Sequence, residues 1–124
     1  MPRPTDAELE ILNVLWRRGP STVREVQEVL LENKETGYTT VLKLMQIMAE
    51  KHLVRRDESS RTHIYEAARA QDETRAQLLS DLLDRAFNGS AKKLVMQALS
   101  SKKASREELA EIRQMLDELE EGRK

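Results

Sequence analysis

The apolar residues of this 124-residue chain change their spacing twice. Up to His52 they recur every three or four residues, which is the period of an amphipathic helix. After His52 the residues up to Glu66 read as strand, turn and strand, and the second strand alternates and is rich in Thr, Ile and Tyr. From Asp72 onward the helical period returns. This order predicts a mainly α fold with one small β-hairpin.

Polar residues mark where the helices begin and end. Gly19-Pro20 stops the first helix, Asn88-Gly89 ends a tail helix as a left-handed C-cap, and Ser90 caps the helix after it. Ser21 or Thr22 caps the second helix. Pairs of Ser or Thr and Glu with the spacing of a capping box precede three of the apolar runs, at Thr5–Glu8, Thr22–Glu25 and Ser105–Glu108.

Three helices followed by a hairpin is the order of a winged helix-turn-helix domain. We predict the strands at Leu53–Arg56 and Arg61–Glu66, with a winged helix domain over residues 1–70 and a helical dimerisation domain over residues 71–124. One face of each N-terminal helix should form the core, through Leu9, Leu12, Leu15, Trp16, Val26, Val29, Leu30, Val41, Leu44, Met45 and Met48.

The C-terminal tail carries more apolar surface than three short helices can bury among themselves. Its last helix has the 3-4-3 leucine spacing of a coiled-coil seam. A homodimer would cover this surface, and its two-fold symmetry would match a palindromic DNA site. The candidate dimerisation residues are Leu78, Leu82, Phe87, Leu94, Leu99, Leu109, Ile112, Leu116 and Leu119.

The third helix, predicted over Tyr38–Lys51, has the two faces that a recognition helix needs. One face is apolar, and the opposite face carries Thr39, Lys43, Gln46 and Glu50. At the helix start, short polar or basic side chains suit a DNA groove. Arginines flank the hairpin turn, where a wing would meet phosphates. The candidate DNA-binding residues from this pattern are Thr39, Thr40, Lys43, Gln46, Arg55, Arg56 and Arg61.

The net charge of −1 is not that of a strongly basic nucleic-acid binder. The basic residues are concentrated, however, since five basic and three acidic residues lie between Tyr38 and Tyr65. Two other classes fit the same pattern: a winged helix that docks a protein partner instead of DNA, and a dimeric winged-helix regulator that senses a small molecule in an apolar pocket.

The composition argues against an enzyme or a metalloprotein. There is no cysteine, and His52 and His63 are the only histidines, which is fewer than the ligands of a usual zinc site. No Gly-rich phosphate loop or nucleophile–base motif is present. We therefore predict no catalytic residue, no metal and no cofactor. The sequence has no long apolar run and no signal-peptide core, so we expect a cytoplasmic protein.

Several short segments occur in a recognisable order and spacing: Asp6-Ala7-Glu8, Val14-Leu15-Trp16, Tyr38-Thr39-Thr40-Val41, Glu50-Lys51, Ile64-Tyr65, Phe87-Asn88-Gly89-Ser90 and the helix from Ser105 to Leu119. Together they resemble the penicillinase-repressor family (the BlaI/MecI type) over nearly the whole chain. The resemblance implies a homodimeric repressor that binds a palindrome of TACA/TGTA type. It assigns DNA contacts to Thr39, Thr40, Leu42 and Lys43, with Leu42 against a thymine methyl.

Two departures from the family pattern concern how such a repressor is released from its operator. Copper-responsive members carry a cysteine-rich C-terminal motif, and the absence of cysteine excludes that route. β-Lactam-responsive members have a sensor protease as partner and are cleaved at an Asn-Phe bond. That bond maps here to Gln97-Ala98, so the resemblance gives no basis for induction by cleavage at this position.

Overall fold

The computed structural model describes residues 3–123, and within them it is mainly helical. The helices are α1 (Asp6–Arg18), α2 (Val23–Leu31), α3 (Tyr38–Glu50), α4 (Gln71–Ala86), α5 (Ala91–Ser101) and α6 (Arg106–Glu121), and the strands between α3 and α4 are β1 (Val54–Asp57) and β2 (Ile64–Ala67). The two strands form an antiparallel sheet. The predicted class, a winged helix-turn-helix order followed by a helical tail, is confirmed.

The chain divides into two compact units, residues 1–79 and 80–124, and the division lies inside α4. The predicted division into a DNA-binding part and a dimerisation part after residue 70 stays a prediction, because functional parts need not coincide with packing units.

The predicted caps are confirmed. In α1 the Thr5 hydroxyl accepts from the Glu8 backbone N–H at 3.2 Å, while the Thr5 N–H donates to Glu8 Oε1 at 2.8 Å. Thr22–Glu25 and Ser105–Glu108 repeat this reciprocal pattern, and the Ser90 hydroxyl accepts from Lys93 N–H. Each cap satisfies helix N–H groups that have no partner within the helix. Asn88 and Gly89 have the left-handed φ expected after α4.

The core of the N-terminal unit includes residues outside the predicted apolar stripes. Leu9, Trp16, Val29, Leu30 and Leu44 are only half-buried. The predicted list missed the buried Ile11, Val14 and Val23, because α1 packs against α2, α3 and β2 and so buries more than one stripe. The buried apolar side chains are Ile11, Leu12, Val14, Leu15, Val23, Val26, Val41, Met45, Met48, Leu53, Val54 and Tyr65.

Both strands lie later in the sequence than predicted. Leu53 is not in β1, since its N–H donates to the Met48 carbonyl at 2.9 Å as the chain leaves α3 through His52, which has a φ of 63°. The second strand begins at Ile64, so Arg61 lies in the connecting loop. The register pairs Arg56 with Tyr65.

The hairpin is fixed to the helices by a backbone bridge that the sequence analysis did not predict. Ser21 N–H donates to the Tyr65 carbonyl at 2.9 Å, and Tyr65 N–H donates to the Ser21 carbonyl at 2.8 Å. Both residues are buried. Ser21 therefore acts as a third, one-residue strand, and the α2 cap falls to Thr22 alone.

A buried ion pair joins the start of α1 to the end of α3. The Glu8 side chain is only 2% exposed, and its Oε1 lies 2.6 Å from Lys51 Nζ. Burial raises the pKa of Glu8, but hydrogen bonds from Lys51 and the Thr5 backbone, together with the charge of Lys51, outweigh it and hold this pKa below its ordinary value. The capping box of α1 and the end of α3 thus share one carboxylate.

Lys51→Met should lower the free energy of unfolding by about 1–3 kcal/mol, because it leaves a buried carboxylate without its cation. The Glu8 pKa is depressed in the folded state, so the pair stabilises the fold above the ordinary carboxylate pKa and this contribution disappears as the pH falls through the folded value. The difference between wild type and variant, measured by urea unfolding, should therefore be largest at neutral pH and shrink in acid.

The matched control is Lys34→Met. Lys34 pairs with Glu10, but both side chains are about half exposed, so its loss should cost less than about 0.5 kcal/mol. Equal destabilisation by the two variants would contradict the role given to the buried pair.

Candidate nucleic-acid interface

The buried face of α3 determines which residues the helix presents outward. Val41, Met45 and Met48 have no exposed surface, so the opposite face must point away from the core. That face carries Thr39, Thr40, Lys43 and Gln46, all of which are exposed. All four predicted residues are therefore exposed, and Thr40 also lines a groove beside Ile11 and Leu44.

The start of α3 is open to an anion. Gly37 is the N-cap and provides no side-chain acceptor, and the first turn of α3 contains no acidic residue. By contrast, α1, α2, α5 and α6 each begin with a Ser or Thr hydroxyl that accepts from the helix. The first-turn N–H groups and the positive end of the helix dipole would therefore favour a phosphate here.

Leu42 lies between the two faces of α3. It is half-buried and packs against the core, and its remaining surface lines a groove beside the helix. Core packing thus explains part of its apolar character, and the contact with a thymine methyl stays a prediction.

The three hairpin arginines differ in their surroundings. Arg55 Nε lies 3.5 Å from Glu66 Oε1 across the sheet, with both side chains at least half exposed. Arg56 contacts Glu58, and a hydrogen bond with the Tyr65 side chain, followed by the charge of Glu58, raises its pKa. Arg61 is exposed in the loop and forms no ion pair with the residues that the structure describes.

A groove of about 420 Å³ separates the starts of α2 and α3 from the hairpin. It brings Leu42 and Arg61 together, whereas Arg55 and Arg56 line a different groove beside Pro20. The described residues that line the first groove are Thr22, Val23, Arg24, Tyr38, Leu42, Arg61, Thr62, His63 and Tyr65.

Arg24 and Tyr38 are the residues of this groove that sequence reasoning missed. The Arg24 guanidinium lies 5.1 Å from the centre of the Tyr38 ring, within the range of a cation–π contact. No helical spacing connects them, because Arg24 is in the first turn of α2 and Tyr38 begins α3. Only the tertiary packing of the two helices brings them together.

The tail surface has the exposed apolar character that was predicted for it. No described residue from 71 to 123 is buried. Leu82, Leu116 and Leu119 are 49%, 55% and 57% exposed, and Leu99 and Leu109 are also exposed. Leu78, Phe87, Leu94 and Ile112 are half-buried, and the exposed Leu79, Val95, Met96 and Met115 extend the predicted set.

Neither a metal site nor a membrane span is found within residues 3–123. No group of three or more His, Cys, Asp or Glu side chains there is arranged to hold a metal ion. None of the helices there has both the length and the apolar character that a bilayer crossing requires.

Comparison with known proteins gives matches along almost the full chain. The family model described as penicillinase repressor matches residues 4–118. The transcriptional regulator BlaI of Mycobacterium tuberculosis is 32% identical over 118 residues, which cover 94% of this chain and 85% of the relative. The penicillinase repressor of Bacillus licheniformis is 24% identical over 95% of this chain and 92% of its own. That of Staphylococcus aureus is 20% identical over 91% and 90%.

The surroundings of Arg56 and Arg61 predict different effects of removing them. Arg56→Ala should lower the melting temperature, because it removes the contacts to Glu58 and Tyr65 that brace the hairpin. Arg61→Ala should leave the melting temperature unchanged, since the side chain is exposed in the loop. Thermal unfolding followed by circular dichroism measures both. Destabilisation by Arg61→Ala but not by Arg56→Ala would reverse these assignments.

Proposed function

The chain belongs to the penicillinase-repressor family, and we propose that it represses transcription by binding a palindromic DNA operator as a homodimer. Family relatives carry the names transcriptional regulator and penicillinase repressor, which supports a role in repression. The proposal assigns DNA binding to α3 and the hairpin, and dimerisation to the helices of the tail.

The observation that carries the proposal is the outward face of α3 with its uncapped start. Thr39, Thr40 and Lys43 are exposed on a helix whose opposite face is buried. Short hydroxyl side chains reach base edges and phosphates, and a lysine neutralises a phosphate. The first turn of α3, whose N-cap Gly37 has no side-chain acceptor, adds backbone N–H donors at the same end. Gln46, one turn further along the helix, extends the surface.

The hairpin arginines would act as the wing. Arg61 has no competing carboxylate among the described residues and would contact phosphate directly. Arg55 and Arg56 would exchange the carboxylates of Glu66 and Glu58 for phosphate, or contact it beside them. Leu42 would touch a thymine methyl with the part of its surface that the core leaves free.

The dimer follows from the exposed leucines of α4, α5 and α6. These side chains are about half exposed, so each forgoes about half of the roughly 1.5–3 kcal/mol that complete burial provides. A second copy has the same stripes and meets them symmetrically, as in most homodimers. In this scheme release of the operator does not use an Asn-Phe bond, because Gln97-Ala98 occupies that place within α5.

Binding of the full chain to a duplex with TACA/TGTA half-sites should weaken steeply with salt, since each neutralised phosphate contributes a slope of about −0.9 in log K against log salt. Lys43→Ala should make that slope shallower by roughly two, because the homodimer loses one phosphate contact in each half-site. Fluorescence anisotropy over a salt series measures it. Lys102→Ala, an exposed lysine of the tail, is the control and should leave the slope as in wild type. No binding at low salt, or an unchanged slope in Lys43→Ala, would contradict the proposal.

Leu116→Glu should raise the dimer dissociation constant on the order of a hundredfold, because each copy loses the burial of a half-exposed leucine and places a carboxylate in an apolar interface. Analytical ultracentrifugation over a concentration series gives the constant. Gln114→Glu introduces the same charge at an exposed polar position of α6 and should leave the dimer intact. A monomeric wild type, or equal effects of both variants, would refute the assignment.

A further inference from the structure

The groove between α2, α3 and the hairpin is lined by basic side chains and, among the described residues that line it, by no acidic one. The two arginines that line it are Arg24 and Arg61. Neither arginine forms an ion pair with another described residue, whereas the nearby Glu25 is already held by Arg18. An anion is the ligand that this groove fits.

Arg24 lies at the end of its helix where the dipole favours an anion. It lies in the first turn of α2, where the helix dipole is positive and disfavours a cation. Its guanidinium is nevertheless held 5.1 Å from the centre of the Tyr38 ring, on the first residue of α3. The ring gives Arg24 a defined place beside the groove, so that the side chain need not be ordered when a ligand arrives.

The polar groups of the groove match a phosphate. A guanidinium can donate two parallel hydrogen bonds to phosphate oxygens. The groove has one guanidinium on each side, that of Arg24 from α2 and that of Arg61 from the hairpin loop. Thr22 and Thr62 also line the groove, and a threonine hydroxyl can donate to a phosphate oxygen. The groove also adjoins the outward face of α3, because Tyr38 directly precedes Thr39.

We propose, on the basis of the function proposed above, that Arg24 and Arg61 clamp one backbone phosphate of DNA in this groove, with Tyr38 as the residue that positions Arg24. The clamp joins the helix-turn-helix to the wing through a single phosphate. It adds Arg24 to the interface and gives Tyr38 a role through its ring rather than through its hydroxyl.

The first test is the salt dependence of binding of the full chain to the TACA/TGTA duplex. Arg24→Ala and Arg61→Ala should each lower affinity about a hundredfold, as expected for loss of a charge-assisted hydrogen bond worth about tenfold in each of the two half-sites. Each should make the slope shallower by roughly two, one for each half-site. Because both arginines act on the same phosphate, the double variant should lose no more slope than either single variant. Additive slope losses would overturn a shared phosphate.

The second test locates the phosphate on the DNA. Replacing single phosphates by uncharged methylphosphonates should reveal one position in each half-site at which the wild type is weakened and Arg24→Ala and Arg61→Ala are not. If both variants stay as sensitive as the wild type at every position, the clamp is refuted. Arg17→Ala removes an exposed arginine from a different groove and should behave as the wild type in both tests.

The positioning role of Tyr38 has its own readout. Tyr38→Phe keeps the ring and should bind DNA as the wild type does. Tyr38→Leu should lose as much affinity as Arg24→Ala, and combining the two substitutions should cost little more than either one alone. Equal behaviour of the Phe and Leu variants would refute a role for the ring. Melting temperatures of all variants identify any loss that comes from misfolding.

A last experiment distinguishes binding of a DNA phosphate from binding of a free anion. Inorganic phosphate, titrated at constant ionic strength, should not saturate the arginine Nε–Hε signals of the full chain, because a single free phosphate lacks the neighbouring contacts of a duplex. Saturable binding of inorganic phosphate that Arg24→Ala abolishes would make the groove a small-anion site and overturn the DNA clamp. If the wild type binds no duplex at all, the repressor function itself fails; if it binds and the variants match it, only the clamp fails.

Discussion

Val41, Met45 and Met48 are fully buried, and together they fix the rotation of α3 about its own axis. Exposing any one of them would cost about 1.5–3 kcal/mol, so a rotation that turned all three toward water would cost a large part of the stability of a small domain. The outward direction of Thr39, Thr40 and Lys43 is therefore a consequence of core packing. The Glu8–Lys51 pair holds the far end of the same helix against α1.

The same constraint extends to the hairpin. Tyr65 is buried in the core and is bonded through its backbone to Ser21, directly before α2. The wing is thereby attached to the helices at the point where α2 begins. This attachment allows one groove to be lined by α2, α3 and the hairpin loop, and it keeps Arg61 beside Arg24 without a direct bond between them. A net charge of −1 is compatible with such a site, because the local field and not the total charge determines where a polyanion binds.

The sequence predicts well what depends on neighbouring residues and poorly what depends on tertiary contact. The capping boxes were predicted because their donors and acceptors are three residues apart, and the left-handed residues after α4 because Asn and Gly favour that conformation. The predicted start of β1 was wrong because the Leu53 N–H donates to the end of α3, which depends on how the chain leaves the helix. Glu8 has the helical spacing of the buried Ile11 and Leu12, but its charge hid its burial from a search for apolar residues. Likewise the contact between Arg24 and Tyr38 exists only once α2 and α3 are packed, so the predicted DNA-binding residues lacked Arg24.

The N-terminal unit and the tail helices differ in how much apolar surface they bury, and this difference connects folding with the proposed activity. The N-terminal unit buries a continuous apolar core within one chain, whereas α4, α5 and α6 leave most of their leucines exposed or half-buried. In the proposed dimer, association and ordering of the tail would stabilise each other, because a partner that binds only the folded form shifts the folding equilibrium toward it. The two recognition helices would then be joined through the tails, and binding one half-site would raise the effective concentration at the other. Occupancy of the operator would then rise more steeply with protein concentration than it would for a preformed dimer. The reason is that each occupied operator requires two free chains to associate.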